Sequence, residues 1–280
     1  MKFRHVIITR FNVRYRDGAH NRFEAKRVNP VWLAERFDLF EKYCLPTVLA
    51  QTCQEFIWFI YFDRATPPVF VERAHRACDG QDNIRLLFCD VYDQGLLARD
   101  LRDQLIPEPE WLLTTRLDND DGLARDFVKR LHETLSFSGT EAINFANGVV
   151  YAGHKTYLHR HESNAFLSFL EPFNGFKTVL LVQHLEMPRI ASVRQIAGDP
   201  AWLQVVHQSN ISNRVRGRRV LARNVLEGFA IAGEEATSAR SESRVTLLLD
   251  NLVHGTWRRA RDKCIETAKS LRRAAKPRSN

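Results

Sequence analysis

The chain has 280 residues, a length that suits one large α/β domain or one domain with a small appendage. It contains no apolar run of about eighteen residues, which argues against a membrane-spanning helix. Its five cysteines are odd in number and form no C-x-x-C pair, which argues against a disulfide framework and against a zinc site. The short apolar segment at the N-terminus is unlike a signal peptide, so we expect a cytoplasmic protein.

The formal net charge of +8 is concentrated at the C-terminal end of the chain. Residues 257–280 hold nine Lys or Arg and two acidic residues, which leaves the rest close to neutral. A nucleic-acid-binding domain spreads its basic residues over a folded face, so we expect no nucleic-acid partner. Apolar residues recur every three or four positions in this tail, opposite a basic face. The pattern is typical of a weak interfacial helix on an anionic membrane, or of a solvated helix packed on the domain.

Predicted strands and helices alternate along the first half of the chain. The strands cover residues 3–9, 56–62, 84–89 and 111–117, and the helices cover residues 32–48, 69–78 and 95–105. This alternation indicates an α/β fold with a mostly parallel, Rossmann-like sheet flanked by helices.

The second half of the chain is less regular. Short strands are predicted over residues 142–145 and 148–151, and a further strand over 201–207. From residue 220 onward the pattern favours helices. We therefore expect a domain over residues 1–219 and a helical extension over residues 220–280 that ends in the basic tail.

An acidic cluster, Asp118-Asn119-Asp120-Asp121, directly follows the predicted strand over residues 111–117. Carboxylates two positions apart can reach one Mg²⁺ or Mn²⁺ ion, and such ions commonly combine one or two carboxylates with substrate phosphates. The ion would bridge the diphosphate of a nucleotide donor and offset charge on the leaving group. The alternative is an ordinary acidic turn that caps the following segment.

Further polar residues lie where the other predicted strands end. In parallel sheets ligands bind beyond the carboxyl ends of the strands, so these residues are candidates for binding the donor nucleotide. Arg suits diphosphate oxygens because its guanidinium matches phosphate in a bidentate way, although a surface ion pair is its commoner role. The candidates are Thr9, Arg10, Asp63, Asp90 and Asp118, together with Arg99 in a predicted helix.

Three segments, in the same order, resemble the nucleotide-sugar domain of GT-A glycosyltransferases. FIYFD at residues 59–63 is similar to the second strand, whose terminal Asp touches the nucleotide. GLLARD at residues 95–100 resembles the helix start G-x-x-x-A-R-N of family 2 enzymes, and residues 111–121 resemble the strand ending in L-D-x-D-D. Two features depart from this pattern: the usual G-S-x-D after the second strand is absent, and Asp100 replaces Asn.

More closely, residues 45–217 resemble the bacterial "putative rhamnosyl transferase" family. The likeness lies in CLPT at residues 44–47, FDRATP at 62–67, TRLDNDD at 115–121 and WLQVVH at 202–207. It implies a metal-dependent GT-A glycosyltransferase that moves a sugar from a nucleotide diphosphate donor to a surface polysaccharide or glycolipid. A late His completes the metal site in many GT-A enzymes. The resemblance therefore implies Mn²⁺ or Mg²⁺ ligands at Asp118, Asp120, Asp121 and His207.

An inverting transferase also needs a general base near the acceptor hydroxyl, usually a carboxylate in this fold. The candidates are Glu162, Glu171 and Glu186, and Glu171 stands roughly where family 2 enzymes carry their base. A retaining mechanism would not need this base, and the sequence leaves the stereochemistry open.

Two rival functions are compatible with parts of the sequence. A nucleotidyltransferase also uses carboxylate-bound Mg²⁺ on an α/β sheet, but it typically needs a Gly-rich loop after the first strand, and residues 9–12 contain no Gly. A non-catalytic adaptor could instead recruit partners to a membrane through the basic tail.

Overall fold

The computed structural model describes residues 2–16, 26–207, 214–232, 247–253, 255–256 and 260–261. Within these ranges no helix is both long enough and apolar enough to cross a membrane. The predicted basic tail lies outside the described residues, apart from Ala260 and Arg261. The prediction of an interfacial helix there stays a prediction.

Twelve named strands in the described part of the chain form two sheets. They are β1 (Phe3–Arg10), β2 (Ile57–Asp63), β3 (Ile84–Cys89), β4 (Trp111–Arg116), β5 (Gly122–Leu123), β6 (Glu141–Phe145), β7 (Asn147–Ala152), β8 (Lys155–Arg160), β9 (Ser168–Pro172), β10 (Val193–Ile196), β11 (Trp202–Val206) and β12 (Arg218–Val220). The large sheet has the order β10-β6-β9-β4-β1-β2-β3, and the small sheet β12-β8-β7-β11-β5. Strands β4, β1, β2 and β3 are parallel, whereas β9 runs antiparallel to β4 and β6. The expected α/β class with a mostly parallel sheet is confirmed.

The helices follow the predicted pattern. They are α1 (Pro30–Leu39), a π-helical turn (Phe40–Cys44), α2 (Leu45–Leu49), α3 (Pro68–Ala77), α4 (Gln94–Gln104), α5 (Phe127–Glu133), a 3₁₀ helix (His184–Arg189) and α6 (Arg223–Leu226). Asn29 caps α1 by accepting from two backbone N–H groups, and Asp93 caps α4 in the same way from Leu96 N. The side-chain oxygens satisfy donors that have no partner within the helix.

Apolar layers cover both faces of the large sheet. Successive residues of a strand point to opposite faces, so Ile7 packs in one layer and Val6 and Ile8 in the other. The first layer includes Phe37 from α1, and the second includes Leu97 from α4. The continuous apolar run of β2 reflects burial on both faces of the sheet.

The strands β6 and β7 are close in sequence but belong to different sheets. The Trp202 ring lies against the backbone of Gly148, where an added Cβ would come within 2.0 Å of it. The Trp202 indole N–H donates to Phe145 O at 2.8 Å, between the two strands. The glycine is needed because any side chain at residue 148 would overlap the Trp202 ring.

The described segment over residues 220–232 packs on the small sheet. Leu226, Phe229 and Ile231 share a core cluster with Val149 and Leu203. The domain boundary placed at residue 219 remains a prediction.

Candidate functional site

The carboxyl ends of the parallel strands meet at one edge of the large sheet, and the acidic cluster forms a turn there. The turn is closed by Asp121 N, which donates to Asp118 O at 3.2 Å. Asn119 Nδ2 donates to Phe11 O at 3.1 Å, which ties the turn to the segment after β1. This is the ligand-binding edge expected of such a sheet.

Asp118 forms a bidentate ion pair with Arg116. Both carboxylate oxygens accept from the guanidinium, the shortest contact being 2.8 Å, and the side chains are 35% and 15% exposed. Burial opposes ionisation of Asp118, but Arg116 outweighs burial and lowers its pKa to about 2. Arg116 was not predicted as a site residue. Arg116 and Asp118 are two positions apart along an extended chain, so their side chains point to the same face.

Asp120 joins Arg36 of α1 to His207. Its Oδ2 lies 2.7 Å from Arg36 Nη1 and 2.9 Å from His207 Nε2. Asp120 and Arg36 are buried, and the His207 side chain is 16% exposed. The structure thus brings together two residues predicted as metal ligands, 87 positions apart in the chain. Arg36 was not predicted, but an Arg on the apolar stripe of a helix, between Leu33 and Phe37, signals a buried acidic partner.

Asp121 is buried behind these groups. Its Oδ1 accepts from Val205 N at 2.9 Å, which ties the turn to β11. Burial raises its pKa well above the ordinary value, and the charges of Asp120 and Asp118 raise it further. Asp121 therefore holds the turn on the small sheet.

Asp63 at the end of β2 is paired with Arg27. Arg27 Nε donates to Asp63 Oδ2 at 2.6 Å, and Asp63 Oδ1 accepts from Ala65 N. Asn12 completes the group, since its Oδ1 accepts from Asp63 N and its Nδ2 donates to Arg27 O. Side chains from three separate segments therefore fix the position of Asp63.

The remaining nucleotide candidates occupy different environments. Arg10, at the end of β1, lies over the Tyr15 ring and is close enough for its charge to help lower the pKa of Asp118. Thr9 points into the core, where its Oγ1 accepts from the Trp58 indole at 2.9 Å.

Asp90 and Arg99 lie on the surface. Asp90 forms an exposed ion pair with Arg64, and Arg99 on α4 is 65% exposed beside Asp100. Neither residue forms a hydrogen bond or ion pair with the acidic cluster in the described part of the chain.

The candidate bases are far apart. Glu171 pairs in register with Leu112, so it lies about 20 Å along β4 from Asp118 at about 3.3 Å per residue. Both its carboxylate oxygens accept backbone N–H groups, from Lys177 and Thr178. Burial raises its pKa, which these hydrogen bonds partly oppose. The structure does not bring Glu171 to the acidic cluster.

Glu162 and Glu186 are both exposed, and Glu162 lies 3.7 Å from Arg160. The next residue, Ser163, hydrogen-bonds through its Oγ to His184 O.

His184 is a site residue that no sequence signal indicated. Its pKa is lowered to about 4, first by burial and then by the charges of Arg116 and His161, while Asp118 opposes the shift. Its Nδ1 is buried without a hydrogen-bond partner among the described residues. His184 is therefore neutral at physiological pH.

The acidic cluster does not form a closed metal cage in the described structure. The group of three potential ligands whose donor atoms lie within 4.8 Å of one another is Cys53, Glu55 and His132, at the other end of the sheet. Mg²⁺ and Mn²⁺ sites that use substrate phosphates need only one or two carboxylates, which Asp118 and Asp120 could supply.

A parallel sheet with carboxylates and arginines at its carboxyl edge is suited to a ligand that contains phosphate. A comparison with known protein families identifies the family: residues 2–219 match the one described as "Putative rhamnosyl transferase". The chain belongs to this family.

Similar solved structures are distant in sequence. The chain is 12% identical to S. aureus TarS 1–349 in complex with UDP, with a TM-score of 0.41. The matched region covers 74% of this chain and 61% of the TarS chain. It therefore spans about three fifths of the TarS fragment. It is 11% identical to a "putative nucleotide-diphospho-sugar transferase" from Desulfovibrio desulfuricans G20, with a TM-score of 0.39 and coverage of 90% and 96%. A comparison with curated proteins gave no match.

Proposed function

We propose that the protein is a glycosyltransferase and that it binds the diphosphate of a nucleotide-sugar donor at the edge of the large sheet, beside Asp118. The supporting observation is the partly exposed, bidentate pair of Asp118 and Arg116 at the carboxyl end of β4. It presents a carboxylate and a guanidinium to the same side of the sheet. The carboxylate suits a cation, and the guanidinium suits phosphate oxygens.

A divalent ion, Mn²⁺ or Mg²⁺, would be held by Asp118 with Asp120 and His207, and it would offset charge on the departing diphosphate. Two carboxylates and an imidazole are a fitting donor set for such an ion. Asp121 serves as a backing residue, because one of its oxygens is engaged by Val205 N and its pKa is raised.

Arginines supply the remaining positive charge. Arg116 pairs with Asp118, and Arg10 is close enough to influence its charge, so both would attract the diphosphate oxygens. Arg36 stays buried against Asp120 and fixes the orientation of that carboxylate. Asp63, held by Arg27, would contact the ribose or the base. The donor site is thus arranged before the substrate arrives, which is what electrostatic stabilisation of a leaving group requires.

For the transfer step we propose Glu162 as the base that takes the acceptor proton in an inverting mechanism. Glu162 is exposed and adjoins Ser163, which is bonded to His184. His184 in turn lies close enough to Arg116 and Asp118 for their charges to shift its pKa. Glu171 lies too deep and too far along β4 for this role. Exchange of Glu162 for Gln should lower kcat with little effect on donor affinity.

The donor sugar, with rhamnose as the first candidate, and the acceptor are proposals that follow from the family. The acceptor would be a saccharide or a lipid-linked glycan for a surface polysaccharide or glycolipid. A cytoplasmic enzyme could approach such a lipid through the basic residues 257–280, which would bind anionic headgroups. Co-sedimentation with anionic liposomes should fall when these residues are removed; equal binding by the full-length and the shortened protein would exclude the membrane role.

A thermal-shift panel tests the donor proposal. Nucleoside diphosphates and nucleotide-sugars, each with and without Mn²⁺, should stabilise the wild type in a metal-dependent way, and Asp118→Asn should lose this response. Asp126→Asn is the matched control, since Asp126 is a half-exposed carboxylate paired only with Arg130 in the helical register. Stabilisation that ignores the metal and residue 118 would contradict the proposal. Pyrophosphate release from a nucleoside triphosphate would favour a nucleotidyltransferase, and no response to any nucleotide would favour an adaptor.

A further inference from the structure

A second polar site lies at the opposite end of the large sheet. Cys53 and Glu55 precede β2, whereas the acidic cluster follows β4, so about 20 Å of strand separates the two sites. His132, near the end of α5, meets them there. The donor atoms of Cys53, Glu55 and His132 all lie within 4.8 Å of one another. We propose that these three residues bind one Zn²⁺ ion, with water as the fourth ligand.

The distances fit tetrahedral zinc. Cys53 Sγ lies 3.7 Å from His132 Nδ1. Zinc bonds of about 2.3 Å to sulfur and about 2.0–2.1 Å to nitrogen, at a tetrahedral angle, place those two ligand atoms about 3.6 Å apart. The pair is therefore already at the spacing that the metal requires. The exposed Glu55 leaves the site open to solvent for entry of the ion and for a water ligand.

The chemistry of the ligands selects the metal. A thiolate, an imidazole and a carboxylate form a borderline-soft set that suits Zn²⁺ better than Mg²⁺ or Mn²⁺. The thiolate and the carboxylate together carry two negative charges, which balance the ion. The acidic cluster offers mainly oxygen atoms and suits the harder ions. The two sites would therefore take different metals.

A hydrogen-bond chain stands behind the imidazole. His132 Nε2 lies 3.0 Å from His5 Nδ1, His5 Nε2 lies 2.8 Å from Thr115 Oγ1, and that hydroxyl lies 2.7 Å from Ser168 Oγ. Two directions of proton donation satisfy this chain. In one of them His132 Nε2–H donates to His5, which leaves a lone pair at Nδ1 facing Cys53. A ligating His almost always donates its other ring N–H in this manner, and a metal at Nδ1 would fix this direction.

The two segments that carry the ligands are bonded to each other without a metal. Thr52 N donates to Arg125 O at 2.8 Å, and Val128 N donates to Gln51 Oε1 at 3.0 Å. The loop before β2 and the start of α5 therefore keep a fixed relation, so binding orders little additional chain. Cysteine spacing gave no sign of this site, because its imidazole comes from a residue 79 positions away from Cys53.

The test measures zinc on tag-free, full-length protein. The wild type should retain one zinc per chain after gel filtration, and Zn²⁺ should raise its unfolding temperature by about 5–10 °C at a hundred times the dissociation constant. Cys53→Ser and Glu55→Gln should each weaken Zn²⁺ binding at least tenfold in competition with a chromogenic chelator. Glu133→Gln is the control, because Glu133 is an exposed carboxylate one residue after His132.

Cobalt substitution assigns the thiolate. Co²⁺-loaded wild type should show a thiolate charge-transfer band in the near ultraviolet that Cys264→Ser retains and Cys53→Ser loses. Asp118→Asn should bind zinc as the wild type does. Glu55 is exposed, so Glu55→Gln cannot act by unfolding the protein. A wild type without zinc, equal affinities in Glu55→Gln and Glu133→Gln, or a band that depends on Cys264 would each overturn the proposal.

Discussion

Replacing Arg36 with Met tests whether a buried charge pair organises the donor site. Arg36 and Asp120 are each 9% exposed at the side chain and 2.7 Å apart, so the substitution leaves a buried carboxylate without its guanidinium. Breaking such a pair costs about 3–5 kcal/mol. His207 stays 2.9 Å from the same oxygen and still contacts it, so we expect the lower end, about 3 kcal/mol. With an m-value of about 3 kcal/mol/M, the urea midpoint should fall by about 1 M.

The assay is urea unfolding followed by tryptophan fluorescence. The double variant Arg36→Met/Asp120→Asn removes both charges and should recover more than half of the lost stability. Arg73→Met is the control, since Arg73 pairs with Asp38 and Glu41 near the surface, and surface pairs contribute less than about 1 kcal/mol each, so its loss should stay below about 2 kcal/mol. Equal losses in Arg36→Met and Arg73→Met, or a double variant no more stable than Arg36→Met, would refute the reasoning.

Three further predictions follow from single contacts. Gly148→Ala should destabilise the fold by at least about 3 kcal/mol in urea unfolding, because its methyl would overlap the Trp202 ring. Gly139 has open space around it, so Gly139→Ala should change the free energy of unfolding by no more than about 0.5 kcal/mol. Equal effects of the two substitutions would contradict the packing at Gly148. Glu171→Gln should cost about 1–3 kcal/mol of stability but leave kcat within about twofold, and the opposite result would return residue 171 to catalysis. The pKa of His184 is about 4 in the folded protein against an ordinary 6.5, so the unfolded chain binds more protons between these two pH values. The unfolding temperature should therefore fall as the pH drops from 6.5 to 4. The unfolding temperature of His184→Gln should fall less over this range, and an identical pH profile would refute this prediction.

The first half of the fold could be predicted because each of its strands is recognisable from the residues of that strand alone. The run over residues 57–63 is apolar throughout, since β2 is buried on both faces, and only a parallel sheet covered by helices explains such a run. The carboxyl edge then follows from the connectivity, which is why the positions of Asp63 and Asp118 at one edge could be predicted. The meeting of Asp120 with His207 followed only from the family resemblance.

The second half could not be predicted in the same way because its pairings are nonlocal. The strands β6 and β7 look like neighbours in sequence, yet they enter different sheets because Trp202 lies between them and against Gly148. Arg36 finds its partner 84 positions away, and the sequence marks only that an Arg stands on an apolar stripe. Glu171 looked suitable by its place in the chain, but the antiparallel course of β9 carries it away from the turn.

The central claim is that the edge beside Asp118 binds a metal and a diphosphate together. Titration calorimetry of a nucleoside diphosphate, with and without Mn²⁺, measures this coupling directly in the wild type and in Asp118→Asn. We predict that Mn²⁺ raises the diphosphate affinity of the wild type at least tenfold and that the variant shows no such gain, and the diphosphate should raise the affinity for Mn²⁺ by the same factor. Equal diphosphate affinities with and without the ion in the wild type, or full coupling in Asp118→Asn, would contradict the claim.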